Sequence, residues 1–156
     1  MRQPFRITRP VLLQAIAVSA IGLGLPGCGV FGGNDELNRL DEERDLWVSH
    51  NIDDYQITIR RECFCSSITP VIVTVVDGQV ASRRYTDSGV PVPAQDATFY
   101  PDVPGLFAIA EDARRRADKV SITFHPTYGF PESMVIDWVN RAIDDEVTYS
   151  VTAFTR

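Results

Sequence analysis

Residues 70–85, "PVIVTVVDGQVASRRY", decide the fold class. Val71 to Val76 is a β-branched run, stiff at χ1, that fits a pleated sheet better than a helix. Asp77-Gly78 then supplies two residues that tolerate left-handed backbone, and extended alternation resumes through Tyr85. Two such runs joined by Asp-Gly predict a β-hairpin with a two-residue turn. A hairpin makes its strands antiparallel.

Upstream of the hairpin the apolar period is two. Tyr55, Ile57, Ile59 and Arg61 fall on one face, and Gln56, Thr58, Arg60 and Glu62 on the other. Cys63 and Cys65 continue the first face, so this segment predicts a half-buried strand. Asp53-Asp54 forms the turn that precedes it. Earlier still the period is helical: Leu37, Leu40, Arg44, Trp47 and Val48 recur along residues 35–50. Asn34 is placed to cap that helix, with Asp35 and Glu36 beside the positive end of its dipole.

Downstream, an irregular segment runs from Thr86 to Pro101 and contains Gly89, Pro91 and Pro93. Asp102 predicts the cap of a second helix, with Pro104 tolerated in its first turn. Leu106, Phe107, Ala110, Ala113 and Ala117 form its apolar stripe. Three strands follow, Val120 to His125, Ser133 to Val139 and Glu146 to Phe154, separated by the Pro126–Pro131 turn and the Ala142–Asp145 loop. The expected fold is α+β: an antiparallel β-sheet in the order helix, three strands, helix, three strands, with both helices packed on one face. The two halves repeat in layout, with no residue identity between them.

The N-terminus carries an address. Arg2, Arg6 and Arg9 precede an apolar run from Val11 to Leu25, the pattern of a secretory signal. Leu25-Pro26-Gly27-Cys28 resembles the lipobox of bacterial lipoproteins, departing from it at Pro26, where Ala or Ser is usual. The resemblance implies a lipid on the Cys28 thiol, cleavage before that residue, and acylation of the new amino terminus by palmitate-like chains. An uncleaved anchor from Val11 to Phe31 and plain secretion are the competing readings, and Pro26 and the glycines of that run make it a poor spanning helix. The implied organisation is a signal peptide at 1–27, a lipidated flexible leash at 28–34, and one α+β domain at 35–156. Gly29, rather than Asp, after the cysteine resembles outer-membrane sorting. The expected location is the cell membrane or outer membrane, with the domain facing the periplasm or the exterior.

All 21 acidic residues lie after Cys28 and three of the 15 basic residues lie before it, leaving the mature chain at a net −9. That charge excludes nucleic acid and electrostatic adsorption to anionic lipid, both of which need basic patches. The membrane is met through the lipid alone, and an envelope protein is the expected further partner.

Tyr55, Arg60/Arg61, Cys63-Phe64-Cys65, Asp77-Gly78, Leu106-Phe107, Gly129-Phe130-Pro131 and Asp144-Asp145-Glu146 together resemble a family of bacterial secreted proteins and lipoproteins of unknown function. The resemblance spans most of residues 40–154 and implies a single domain, with no reaction, cofactor or catalytic residue attached to it.

Cys63 and Cys65 remain the chemical candidates. With Cys28 consumed by lipid, they form an even pair in an oxidising compartment. Residues i and i+2 of a strand share a face about 6.5 to 7 Å apart, at the long edge of disulfide geometry, so closing the ring needs a bend at the strand end. A structural disulfide, free buried thiols, and a redox or metal-handling pair are the three readings, and the compartment favours the first. Arg60 or Arg61 would lower a thiol pKa in the redox reading. His50, His125 and Met134 stand at no ligand spacing, and Asp53-Asp54 and Asp144-Asp145-Glu146 lack a calcium-loop pattern. Trp47, Trp138, Phe124 and Phe130 fit either a pocket wall or the core. No cofactor and no assembled catalytic set is implied. The expected function is a lipid-anchored, non-enzymatic binding or structural module, with a thiol–disulfide or metal-handling protein as the alternative.

Serine cannot form the thioether, so Cys28→Ser abolishes acylation and stops cleavage at that position. Mass spectrometry of the membrane and soluble fractions checks this. An intact N-terminus without acyl mass on the unsubstituted protein rejects the lipobox reading.

Overall fold

The computed structural model describes residues 32–64, 69–142 and 144–156. Cys28, Cys65 and the whole signal segment lie outside these. The described residues belong to one compact unit, Phe31–Arg156. Its elements in order are α1 (Gly32–Ser49), β1 (Tyr55–Cys63), β2 (Val71–Val76), β3 (Gln79–Tyr85), a 3-10 helix (Ala94–Phe99), α2 (Val103–Arg116), β4 (Lys119–Phe124), β5 (Pro131–Asp137) and β6 (Glu146–Thr155). The fold is α+β with one six-stranded antiparallel sheet, ordered β3-β2-β1-β6-β5-β4. Among the described residues no helix is long and apolar enough to cross a membrane.

The hairpin forms as its turn chemistry predicts. Asp77 and Gly78 both take positive φ, 49° and 70°, as a two-residue type I′ turn requires. The preceding acidic turn clamps it: Asp77 N donates to Asp54 Oδ1 at 2.8 Å, and Gly78 N donates to the Asp53 carbonyl at 2.9 Å.

Two meanders, β1-β2-β3 and β4-β5-β6, meet where β1 pairs with β6, from Gln56↔Thr155 to Cys63↔Val147. β1 is therefore central and β4 is an edge, so the halves are not equivalent despite their similar layout. The β3 edge is closed by the following loop, which folds back through an Arg84↔Pro91 bridge and the Val92 N to Arg83 O hydrogen bond. The β4 edge is short, begins with Lys119, and has its Val120 carbonyl taken by Arg114 Nη1 at 3.3 Å.

Alternation along the strands sends one set of side chains into the core. Ile57, Ile59, Val71, Val73 and Ile136 are fully buried, together with Leu106, Ala110 and Ala113 of α2 and Leu40 of α1. Burial of each large apolar side chain contributes roughly 1.5 to 3 kcal/mol. Trp47 closes one end of the core, its ring edge-on to Tyr55, Phe130 and Phe154 at 5.4, 5.9 and 6.0 Å. Arg44 joins the helices: it pairs with Glu111 at 3.0 Å and lies 5.4 Å from the Phe107 ring centre. Gly129, at φ 75°, comes so close to α1 that a Cβ there would meet the Glu43 carbonyl at 2.4 Å. Only glycine permits that approach.

Some boundaries differ from the sequence expectation. α1 begins at Gly32, so Asn34 is inside the helix and is not its cap, and the leash is shorter by those residues. The first amides of a helix have no intrahelical acceptor, so glycines there sacrifice little hydrogen bonding. Val48 is 62% exposed, whereas its neighbour Trp47 is buried. β5 starts at Pro131 and stops at Asp137, where Trp138 and Val139 leave the ladder for contacts with Asp118 and Asp145. The 3-10 helix lies within the segment expected to be irregular. Asp102 caps α2 as expected, its carboxylate accepting from Gly105 N at 2.9 Å.

Tyr55 ties β1 to α2, its buried hydroxyl accepting from Val103 N at 3.1 Å. Burial pushes its phenol from 10.0 up to about 12. A raised folded-state pKa means this stability is fully present below pH 10 and is lost as pH rises through about 12. Tyr55→Phe leaves the Val103 amide without its acceptor, costs about 1 to 2 kcal/mol at neutral pH, and flattens the alkaline decline. Tyr100, also raised by burial, retains a remainder. Urea unfolding at stepped alkaline pH reads both effects.

Candidate functional site

β1 ends at Cys63, opposite Val147 of β6, and the chain bends at Phe64. This is where the strand face predicted to carry the cysteines emerges from the core. Tyr55, Ile57 and Ile59 are buried on that face, and Arg61 and Cys63 are half-buried beyond them. Phe64 is 81% exposed.

Arg61 organises the position. Its Nη1 donates to Cys63 Sγ at 2.8 Å and its Nε donates to the Tyr149 hydroxyl at 3.3 Å. Its guanidinium carbon sits 4.5 Å from the Phe99 ring centre and 5.9 Å from that of Tyr149. Arg60, one residue earlier and therefore on the opposite face, pairs with Glu62 at 2.7 Å. Of the two arginines named from sequence, the structure brings Arg61 to Cys63.

A groove of about 490 Å³ opens beside this cluster. Phe99 and Ile109 wall one side, from the 3-10 helix and α2, and Trp138, Val139, Val147 and Tyr149 wall the other. Phe99 and Val139 are 41% and 57% exposed, apolar surface left uncovered at the mouth. A second concavity of about 290 Å³ shares Cys63, Asp144 and Glu146 with it and reaches Phe64 and Thr148. Cys63 thus stands on the partition between two depressions.

The acidic run at the mouth divides by role. Asp145 accepts from Val139 N through Oδ2 and holds the turn that follows β5. Asp144 and Glu146 line both depressions, and among the described residues neither has an ion-pair partner. Asp112, across the groove on α2, is bound by Arg116, whose hydrogen bonds hold its carboxyl below the ordinary range. Arg116 in turn lies 5.8 Å from the Trp138 ring centre.

The other sequence candidates are placed apart from Cys63. His50 and His125 both serve the turn at 125–130, where His125 Nδ1 accepts from Thr127 N and Tyr128 N and His50 Nε2 meets the Thr127 carbonyl. Met134 is in the core, as are Trp47 and Phe130. Phe124 is half-buried beneath Arg39. Among the described residues no three His, Cys, Asp or Glu side chains are grouped to hold a metal ion. Phe99 was not read from the sequence; two consecutive aromatics, Phe99-Tyr100, just before the Asp102 cap were the available signal.

An α+β domain with a two-sided depression at the end of its central strand is the class that these features define. The chain belongs to a family of unknown function (DUF6174), matched over residues 39–156. No curated protein and no solved structure matches it.

Arg61→Ala removes the bridge between β1, β6 and the 3-10 helix. It lowers stability by about 1 to 2 kcal/mol, from a cation–π contact and a hydrogen bond. Arg61→Lys recovers only part, because an ammonium cannot stack flat on Phe99 while donating to Tyr149. Chemical denaturation of the three proteins measures the series.

Proposed function

We propose that this protein is a lipid-anchored component of the bacterial cell envelope, tethered through Cys28 and acting as a binding or structural module on the periplasmic or outer side. The lipobox supports the tether and the −9 mature charge gives no alternative hold on anionic lipid. The observation that carries the binding role is the groove beside Cys63: apolar walls left partly exposed at a loop-bearing end of a rigid sheet are where recognition is usually sited. In this reading both helices cover the same face of the sheet, with Leu40 and Trp47 of α1 and Leu106 and Phe107 of α2 meeting the buried strand side chains. Cys63 and Cys65 form a local disulfide that fixes the chain as it leaves β1. The strand's end at Cys63 and the bend at Phe64 favour that closure.

A second reading is favoured by one contact. The Arg61 guanidinium against Cys63 Sγ puts positive charge where a thiolate would form, which favours thiol–disulfide exchange. Cys63→Ser separates the two. Lower thermal stability with binding retained marks a staple; loss of activity on disulfide substrates at unchanged stability marks exchange chemistry.

The binding role is tested with a photo-crosslinking side chain in living cells, introduced separately at Phe64, Val139 and Val48. Discrete protein adducts are expected from Phe64 and Val139 and not from Val48, which is exposed on α1. Adducts equal at all three positions, or absent at the first two, reject the groove as the binding surface.

A further inference from the structure

Resting on the binding reading above, we infer that the groove docks a protein segment bearing an aromatic or large aliphatic side chain flanked by basic residues. The walls set the first requirement. Phe99 and Val139 expose apolar surface, and half-buried Ile109 and Trp138 with buried Val147 and Tyr149 line the rest of a groove of about 490 Å³. A buried anchor of this kind supplies most of the affinity of many protein interfaces.

Charge sets the second requirement. Four carboxylates line the groove, Asp112, Asp144, Asp145 and Glu146, against the single guanidinium of Arg61. Arg116 neutralises Asp112 from outside, and Asp145 is engaged by the Val139 amide. Asp144 and Glu146 remain to meet solvent or a partner. An acidic segment would face them across a partly desolvated interface, where like charges side by side are strongly disfavoured. The molecule's own side chains indicate the preferred chemistry: Arg61 lies over Phe99 and Arg116 over Trp138. Aromatic faces attract cations and prefer guanidinium. The mature net charge of −9 acts in the same direction, steering basic partners and repelling a second copy of this chain.

The test uses the full-length protein, isotope-labelled, in micelles of a neutral detergent. Two synthetic peptides share one anchor: acetyl-Lys-Phe-Leu-Lys-amide and acetyl-Glu-Phe-Leu-Glu-amide. Amide shifts of Phe99, Val139 and Val147 and the Trp138 indole report occupancy. The basic peptide is expected to move these signals in a saturable way, with affinity falling several-fold as salt rises, while the acidic peptide leaves them in place. Asp144→Asn combined with Glu146→Gln should weaken the basic peptide several-fold and leave the spectrum otherwise folded. If the acidic peptide binds as well or better, the groove still docks a segment but the basic partner is wrong. If neither peptide moves these four signals, the groove is not a docking site, and the binding role falls with it.

Discussion

Everything else in the domain depends on the pairing of β1 with β6. It joins residues 55–63 to residues 146–155 across nearly the whole folded chain, and it converts two three-stranded meanders into one sheet. Each meander alone would expose one side of a small apolar surface and be marginal at best. Joined, they set Tyr55, Ile57 and Ile59 in one buried cluster with Val147 and Tyr149, to which Leu106, Phe107 and Trp47 also belong. The entropy of closing so long a loop grows slowly with its length, so the separation is affordable in stability. Its effect is on rate, since non-local pairing slows folding. The ladder is irregular at Thr58/Ile59, where β6 carries an extra residue and Thr152 Oγ1 reaches back to the Thr58 carbonyl. A bulge here increases twist at the centre of the sheet.

What could be read from the sequence follows from how local each cause is. The hairpin was legible because Asp77-Gly78 determines its turn within two residues, and α2 was legible because Asp102 caps it three residues away. The antiparallel sheet followed from the hairpins. The adjacency of β1 and β6 was not legible, since alternation predicts a strand's buried face and not its neighbour. The function of Asp53-Asp54 as the hairpin's clamp also needed the fold, because its partners come more than 20 residues later. Val48 misled for a related reason. Helical spacing puts it beside Trp47, but only Trp47 of the two is buried.

The same distinction explains the candidate site. Cys63 was visible as a residue type and Arg61 as a neighbour on its strand face, two positions apart. Phe99, Trp138 and Tyr149, which turn that pair into a walled depression, come from the 3-10 helix, the segment after β5 and β6, spread over some 50 residues, and only the topology collects them. The lipobox is the opposite case. A motif of that kind is legible without any fold, and the proposal of one at Leu25-Pro26-Gly27-Cys28 rests on the sequence alone.

Several acidic side chains fall into two groups once the hydrogen bonds are placed. Asp54, Asp102 and Asp145 accept from backbone amides that would otherwise be unsatisfied at a turn, a helix start and a strand exit. Glu111 and Asp112 are held by arginines on or facing α2. Surface pairs of that sort contribute little to stability, but they remove those carboxylates from the pool that a partner could meet. Among the described residues, Asp144 and Glu146 are not held in either way, and they sit where the central pairing ends, beside exposed Phe64 and Val139. A sheet must stop pairing somewhere, and side chains from both central strands diverge at that point. In this domain the divergence leaves exposed apolar surface beside two carboxylates that have no ion-pair partner among the described residues.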